Sequence, residues 1–247
     1  MGSQYRKITT EKFLDYTVFS GDLLQIKLNQ KIRINTINQY SYCISEKDLE
    51  FKKSLLNSEI LLPDGIAIVG AIKFLTNKKI KKIAGADIHQ YLLEELNKIN
   101  GRCFYMGSNN STLNKIKERI TKEYPNIRIS TYSPPYIDKF TKDDNKIIVE
   151  QINNFNPQVV FVGMTAPKQE KWVQQIHKEL NTNIICSIGA VFDFYAGTIE
   201  RPRQIWINLG LEWFARLLKE PKRMWKRYLY YGPIFILKII KEKIKII

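Results

Sequence analysis

Four segments place polar or acidic side chains directly behind β-rich runs, where an open parallel sheet collects its ligands. In LLPDGIAIVGAIKFL, Pro63 stiffens the end of a strand, Asp64 follows and an apolar helix begins. A carboxylate there is ionised at neutral pH, its ordinary pKa being about 3.9, and can act as a general base that takes the proton from an attacking hydroxyl. Asp64 also suits a helix N-cap, which would explain it without any chemistry. In INTINQYSY, Thr36 and Asn38 can hold a sugar hydroxyl or simply satisfy their own backbone. FVGMTAPKQEKW opens through Gly163 into a helix whose first turn holds Pro167. The N–H groups beyond it, with Lys168 and Gln169, suit phosphate or sugar, whereas Trp172 and Val173 read as packing residues. SIGAVFDFYAG sets Asp193 between Gly189 and Gly197, as a hydroxyl ligand or a turn cap.

Other motifs narrow the chemistry. Gly107 opens the loop GSNNS, which can approach a nucleotide but lacks G-x-G-x-x-G, so no dinucleotide cofactor is expected. There is no GxSxG elbow and no Walker loop. His89 and His177 stand singly on predicted helices without partners at metal spacing, so both read as structural and no metal site is expected.

The elements that must position these residues alternate between short β-rich runs and helical periods from about Lys31 to Glu200, the signature of an α/β fold with a largely parallel sheet. Strands are predicted at 32–36, 59–62, 102–106, 127–131, 158–162 and 183–188. Helices are predicted at 45–56, 65–75, 87–99, 111–123, 143–154 and 167–180. The chain of 247 residues suits one main domain with an appendage, divided here as residues 1–203 and 204–247. Residues before about Gln30 carry no functional signal.

The charge is lopsided, with 39 Lys+Arg against 24 Asp+Glu and a net +15, which points to polyanionic partners: nucleic acid, phosphate groups or anionic lipid. Three scattered cysteines indicate buried thiols rather than disulfides or zinc. The N-terminus has no signal-peptide core and no stretch reaches the roughly 20 apolar residues of a membrane span, so any membrane contact is expected to be peripheral or monotopic. The tail from Glu212 interleaves cations, aromatics and isoleucines, with Glu212, Glu220 and Glu242 as its only acids. If 212–231 is one helix, Lys222, Arg223, Lys226 and Arg227 cluster on it, and after Gly232-Pro233 a lysine stripe lies opposite an isoleucine stripe. That is the layout of a basic interfacial helix on a lipid surface, although packing on the domain or on an oligomer partner would produce similar patterning.

With these motifs in order, the sequence resembles the WecG/TagA/CpsF family of bacterial glycosyltransferases over nearly its whole length. INTINQYSY, LLPDGIAIV, KIAGADIHQYLLEEL, FVGMTAPKQEKW, SIGAVFDFYAG and LGLEWFARLLKEPKR carry the resemblance in order, with Met164 and Thr165 standing where smaller residues are usual. The resemblance implies a Rossmann-like fold and an inverting transfer of N-acetylmannosamine, or its uronic acid, from a UDP donor to undecaprenyl-diphosphate-GlcNAc at the inner face of the cytoplasmic membrane. On matching positions it implies Asp64 as base, Thr36, Asn38 and Gln169 as substrate contacts, and a tail whose Arg216, Arg223 and Arg227 grip the lipid diphosphate. The sequence has no D-x-D motif, so metal-independent transfer without a cofactor is expected, with cations and helix N-termini offsetting the leaving-group charge. The alternatives are a hexosyltransferase using UDP-glucose, a soluble sugar-nucleotide epimerase or dehydrogenase, and a nucleic-acid-binding protein. The last is disfavoured because the cations lie among isoleucines rather than on a polar face.

Overall fold

The computed structural model describes residues 8–200 and 202–246. An antiparallel hairpin, β1 (Thr10–Phe13) and β2 (Tyr16–Phe19), precedes β3 (Ile32–Ile37), α1 (Gln39–Ser45), α2 (Leu49–Leu56), β4 (Ile60–Pro63) and α3 (Ile66–Thr76). Then come α4 (Gly85–Lys98), β5 (Arg102–Gly107), α5 (Asn110–Glu123), β6 (Arg128–Tyr132), α6 (Lys142–Phe155), β7 (Val159–Gly163), α7 (Lys168–Ile176), β8 (Ile184–Ser187) and α8 (Val191–Ala196). The C-terminal segment is helical throughout: α9 (Gln204–Asn208), α10 (Glu212–Lys219), α11 (Pro221–Trp225), a π-helical turn over Lys226–Tyr230, and α12 (Tyr231–Ile246).

Strands β3 to β8 form one parallel sheet in the order β4-β3-β8-β7-β5-β6, the Rossmann-like α/β architecture expected from the sequence. Parallel strands covered on both faces need continuous apolar runs, and every residue of β4, β7 and β8 is buried. Val159 and Phe161 point into a cluster with Leu92, Leu96, Leu113 and Ile116, so α4 and α5 cover that face. Val160 and Val162 point the opposite way, toward Ile148 and Ile152 of α6 and Trp172 and Val173 of α7. A third cluster joins Ile37 and Leu61 to α1, α2, α3 and the N-terminal hairpin, and takes in Tyr231, Phe235 and Ile239 of α12.

Three expectations are corrected. The single helix predicted over 45–56 is two helices separated by a turn, because Asp48 caps α2 by accepting from the Phe51 N–H at 3.0 Å and Asn38 starts α1 earlier. The tail is not one helix to Tyr231: it breaks at Glu220, whose backbone is non-helical (φ −131°, ψ 59°) ahead of Pro221, a residue that disfavours helix before it. Conversely, Gly232-Pro233 do not break the chain. The π-helical turn just ahead of them widens the helix by one residue per turn where Pro233 removes a donor, and α12 runs on.

Phe235 is 3% exposed and packs its ring 5.5 Å from that of Tyr42 and 6.3 Å from that of Phe13. Phe235→Ala is expected to cost about 3–5 kcal/mol, read as a lowered urea midpoint, and to speed tryptic cleavage at the exposed Lys222 and Arg223 as α12 loosens from the core.

Candidate active site

The main cavity, about 680 Å³, opens at the carboxyl ends of β3 and β4 and is closed on its far side by α10, the π-helical turn and α12. Asp64 lies half-buried on its floor. The chain reaches Asp64 from β4, whose register on β3 is continued by the Asp64 N–H donating to the Ile37 carbonyl at 2.9 Å. Gly65, with φ +116°, is the N-cap of α3, a backbone conformation that side-chain-bearing residues avoid. Asp64 is therefore not the cap, and its carboxylate makes no hydrogen bond among the described residues, so the capping explanation does not hold.

The surroundings of Asp64 shift its titration. Burial is the largest effect, and with the Glu212 and Asp87 carboxylates it pushes the Asp64 carboxyl up to about 6, against the pull of Lys82 and Arg216. Lys82 and Glu212 pair at 2.8 Å across 130 residues of chain, tying α10 to the loop before α4. Above them, the Arg216 guanidinium sits 5.3 Å from the Phe194 ring with Nε and Nη2 buried and without a hydrogen-bond partner among the described residues. Two orphaned guanidinium donors in a cavity are a site for an anion, since leaving them unpaired costs several kcal/mol. Arg227 stacks 4.6 Å over the Tyr40 ring, and burial lowers its pKa, as do the neighbouring Arg216 and Arg223 charges.

Of the residues expected from the sequence, Asn38, Asp64, Arg216 and Arg227 line this cavity. Asn38 serves both readings: its Oδ1 caps α1 by accepting from the Tyr40 and Ser41 N–H groups at 3.1 and 3.0 Å, while Nδ2 has no partner among the described residues. Thr36 lies within β3 opposite Leu62, beside the cavity rather than in its wall. Arg223 is not part of the cavity wall and pairs with Glu220 at 2.7 Å. Lys82, Glu212, Trp213 and Tyr228 complete the polar wall and were not expected from sequence reasoning. The available signal was Lys82 opening the segment KIAGADIHQY, one of those that carry the resemblance.

The remaining candidates gather at a second place, the ends of β5, β7 and β8. The connection leaving β5 runs through α5 to β6 on one side, and that leaving β7 runs through α7 to β8 on the other, so the crevice between β5 and β7 is a topological switch point. Gly107 and Gly163 are cross-strand partners there. A Cβ on Gly107 would lie 2.4 Å from the Gly163 carbonyl oxygen, and one on Gly163 would lie 2.4 Å from the Phe192 ring, so both positions require glycine. Gln169 is buried and braces this end: its Oε1 accepts from the Met164 N–H at 3.2 Å, and its Nε2 donates to Glu170 Oε1 at 2.9 Å. Burial pushes the Glu170 carboxyl up to about 7, opposed by the Gln169 bond and the Arg227 charge. Pro167 is the N-cap of α7, one residue ahead of the helix rather than in its first turn, and it borders a small cavity in which the Lys168 ammonium lies 4.3 Å over the Phe140 ring. Asp193 accepts from the Thr198 hydroxyl at 3.3 Å and so helps close the turn after α8.

His89 is structural: its Nε2 shares a 2.6 Å hydrogen bond with the Tyr105 hydroxyl, and burial pulls its pKa down to about 3. The three cysteines are free and buried. Among the described residues no helix is long and apolar enough to cross a membrane.

Residues 4–246 match the model of the glycosyl transferase WecG/TagA/CpsF family. The chain is 33% identical over 233 residues to the N-acetylglucosaminyldiphosphoundecaprenol N-acetyl-beta-D-mannosaminyltransferase of Bacillus subtilis (strain 168), covering 94% of this chain and 86% of that protein. Proteins of the same description from Bacillus spizizenii and Staphylococcus aureus (strain MW2) are each 28% identical, over 78% and 75% of this chain and 72% and 70% of their own lengths.

The raised Asp64 carboxyl carries a stability signature. Its value rises on folding from 3.8 to about 6, so the ionised group weakens the fold progressively between those values and by a constant amount above them. Asp64→Asn is therefore expected to stabilise the protein by about 1–2 kcal/mol at neutral pH in urea unfolding, a gain that disappears below about pH 4.

Proposed function

Because the chain belongs to the WecG/TagA/CpsF family of glycosyltransferases, we propose that it transfers N-acetylmannosamine from a UDP donor to the GlcNAc of undecaprenyl-diphosphate-GlcNAc with inversion at the anomeric carbon. One observation carries the reading: among the described residues, a carboxylate free of hydrogen bonds and a guanidinium with two orphaned donors share one cavity. Asp64 takes the proton of the acceptor hydroxyl as that oxygen bonds to the anomeric carbon, while the bond from that carbon to the donor phosphate breaks and UDP departs. A carboxylate titrating near 6 is basic enough to accept the proton and still ionised at neutral pH. Arg216 and Arg227 hold the acceptor diphosphate, Asn38 Nδ2 donates to a sugar oxygen, and Thr36 supports it from the adjoining strand. The nucleotide lies at the β5/β7 switch point, where Gly107 and Gly163 allow close backbone approach, Gln169 and Pro167 shape the neighbouring loop and Asp193 borders the ribose side. Arg223 remains outside, facing lipid headgroups.

Membrane attachment follows from the same tail. More than half of the exposed large apolar side chains among the described residues lie after residue 203, among them Leu218, Trp225, Leu229 and Leu237 at 51–66% exposure. Exposed Lys222, Arg223 and Lys226 stand between them. This pairing suits the anionic inner surface of the cytoplasmic membrane, each cation contributing about 1 kcal/mol.

Transfer from UDP-ManNAc to a short-chain prenyl-diphosphate-GlcNAc tests the reaction. Wild type is expected to be active, with kcat/KM falling tenfold per pH unit below about 6. Asp64→Asn should lose about 10²–10⁴ in rate with that pH dependence abolished, and absence of transfer from any UDP-sugar would sink the reading. In flotation, vesicles containing phosphatidylglycerol should capture the protein, and Lys222→Glu with Lys226→Glu should weaken capture by about 10-fold or more at low salt. Equal capture by neutral vesicles, insensitive to salt, would contradict the electrostatic part.

A further inference from the structure

Resting on the acceptor reading above, we infer that the apolar arm of the main cavity, between α3 and α12, holds the first isoprene units of the acceptor's polyprenyl chain. The cavity is segregated. Its polar end carries Asp64, Lys82, Glu212, Arg216 and Arg227, and its other end is hydrocarbon. From α3 comes the stripe Ala67, Gly70, Ala71 and Phe74, spaced so that all four share one helix face. From α12 come Gly232, Ile236, Ile239 and Ile240, whose offsets of four, seven and eight likewise place them on one helix face.

Two packed helices ordinarily close on each other by interdigitating side chains. Here a slot remains, and glycines keep it wide. Gly70 and Gly232 both lie inside helices, where glycine costs about 1 kcal/mol relative to alanine. Neither has a positive φ, and a Cβ at either position would meet nothing within 4 Å. No backbone conformation and no close neighbour requires glycine at these two places, and both face the cavity. The walls are correspondingly bare: Ile66, Phe74, Ile236 and Ile240 keep 48%, 48%, 58% and 43% of their surface exposed.

The occupant must therefore be anionic at one end, where Arg216 has two buried donors without partners, and a slender hydrocarbon at the other. A polyprenyl diphosphate meets both conditions with a single chain joined directly to its phosphates. A peptide would bury its backbone N–H and C=O groups against side chains that offer no partner. The slot also leads toward the exposed apolar residues of α12, from which the rest of the chain reaches the bilayer.

Binding of inorganic diphosphate, dimethylallyl diphosphate, geranyl diphosphate and farnesyl diphosphate to the full-length protein, followed by fluorescence of the cavity-lining Trp213 and by calorimetry, tests this without any sugar donor. Affinity is expected to rise about tenfold or more per isoprene over the first two or three units. In Gly70→Leu, which fills the slot, farnesyl diphosphate should bind no better than inorganic diphosphate. Gly70→Ala should fold with higher thermal stability than wild type and lose only part of the preference. Equal affinity across the series in wild type, or a Gly70→Leu protein that keeps the full preference for farnesyl diphosphate, would overturn the assignment. A chain-length preference in a protein that transfers no sugar would uphold the slot and remove the transferase reading.

Discussion

The packing of α12 against α1 and α3 is the interaction on which the site depends. Tyr231, Phe235 and Ile239 enter the same buried cluster as Ile37, Ile68 and Ile72, so the tail is anchored by core contacts rather than by its charges. Hydrophobic burial of that kind is large and non-directional. Direction comes from the Lys82–Glu212 pair and from Arg227 stacked on Tyr40, which set where the guanidinium groups fall relative to Asp64. Remove the anchor and the cavity has a floor without a wall.

The wall in turn determines the chemistry of the floor. A carboxylate beside Arg216 and Lys82 alone would be held strongly acidic and would make a poor base. Burial pushes the other way, and the Glu212 carboxylate adds to its effect, so the opposing influences leave Asp64 near 6 rather than at either extreme. Arg216 retains its use for an anionic ligand because the fold does not spend it on Asp64 itself.

Much of this was readable from the chain. All six strands of the sheet were placed to within about two residues, because runs such as VVFVG have no other reading when both faces are covered. Asp64 and Asn38 were found by their position just behind strands. The hairpin at Thr10–Phe19 escaped because its turn uses Leu14 at φ +52°, with no glycine or asparagine to mark it. Lys82 and Trp213 escaped for a different reason: they come together where α10 meets the loop before α4, across more than 100 residues of chain, and spacing along the sequence carries no trace of such a meeting. Helix patterning showed that the tail was basic and amphipathic, but the face it turned inward was decided by the core it met.

The order of synthesis gives the tail one more consequence. Every strand of the sheet has been made before Glu212 leaves the ribosome, so the α/β core can collapse while the cavity still lacks its far side. Until α12 arrives, the Ile37, Leu61 and Ile68 surface that it covers stays open to water, so the nascent sheet is exposed to aggregation at the same place where its site is unfinished.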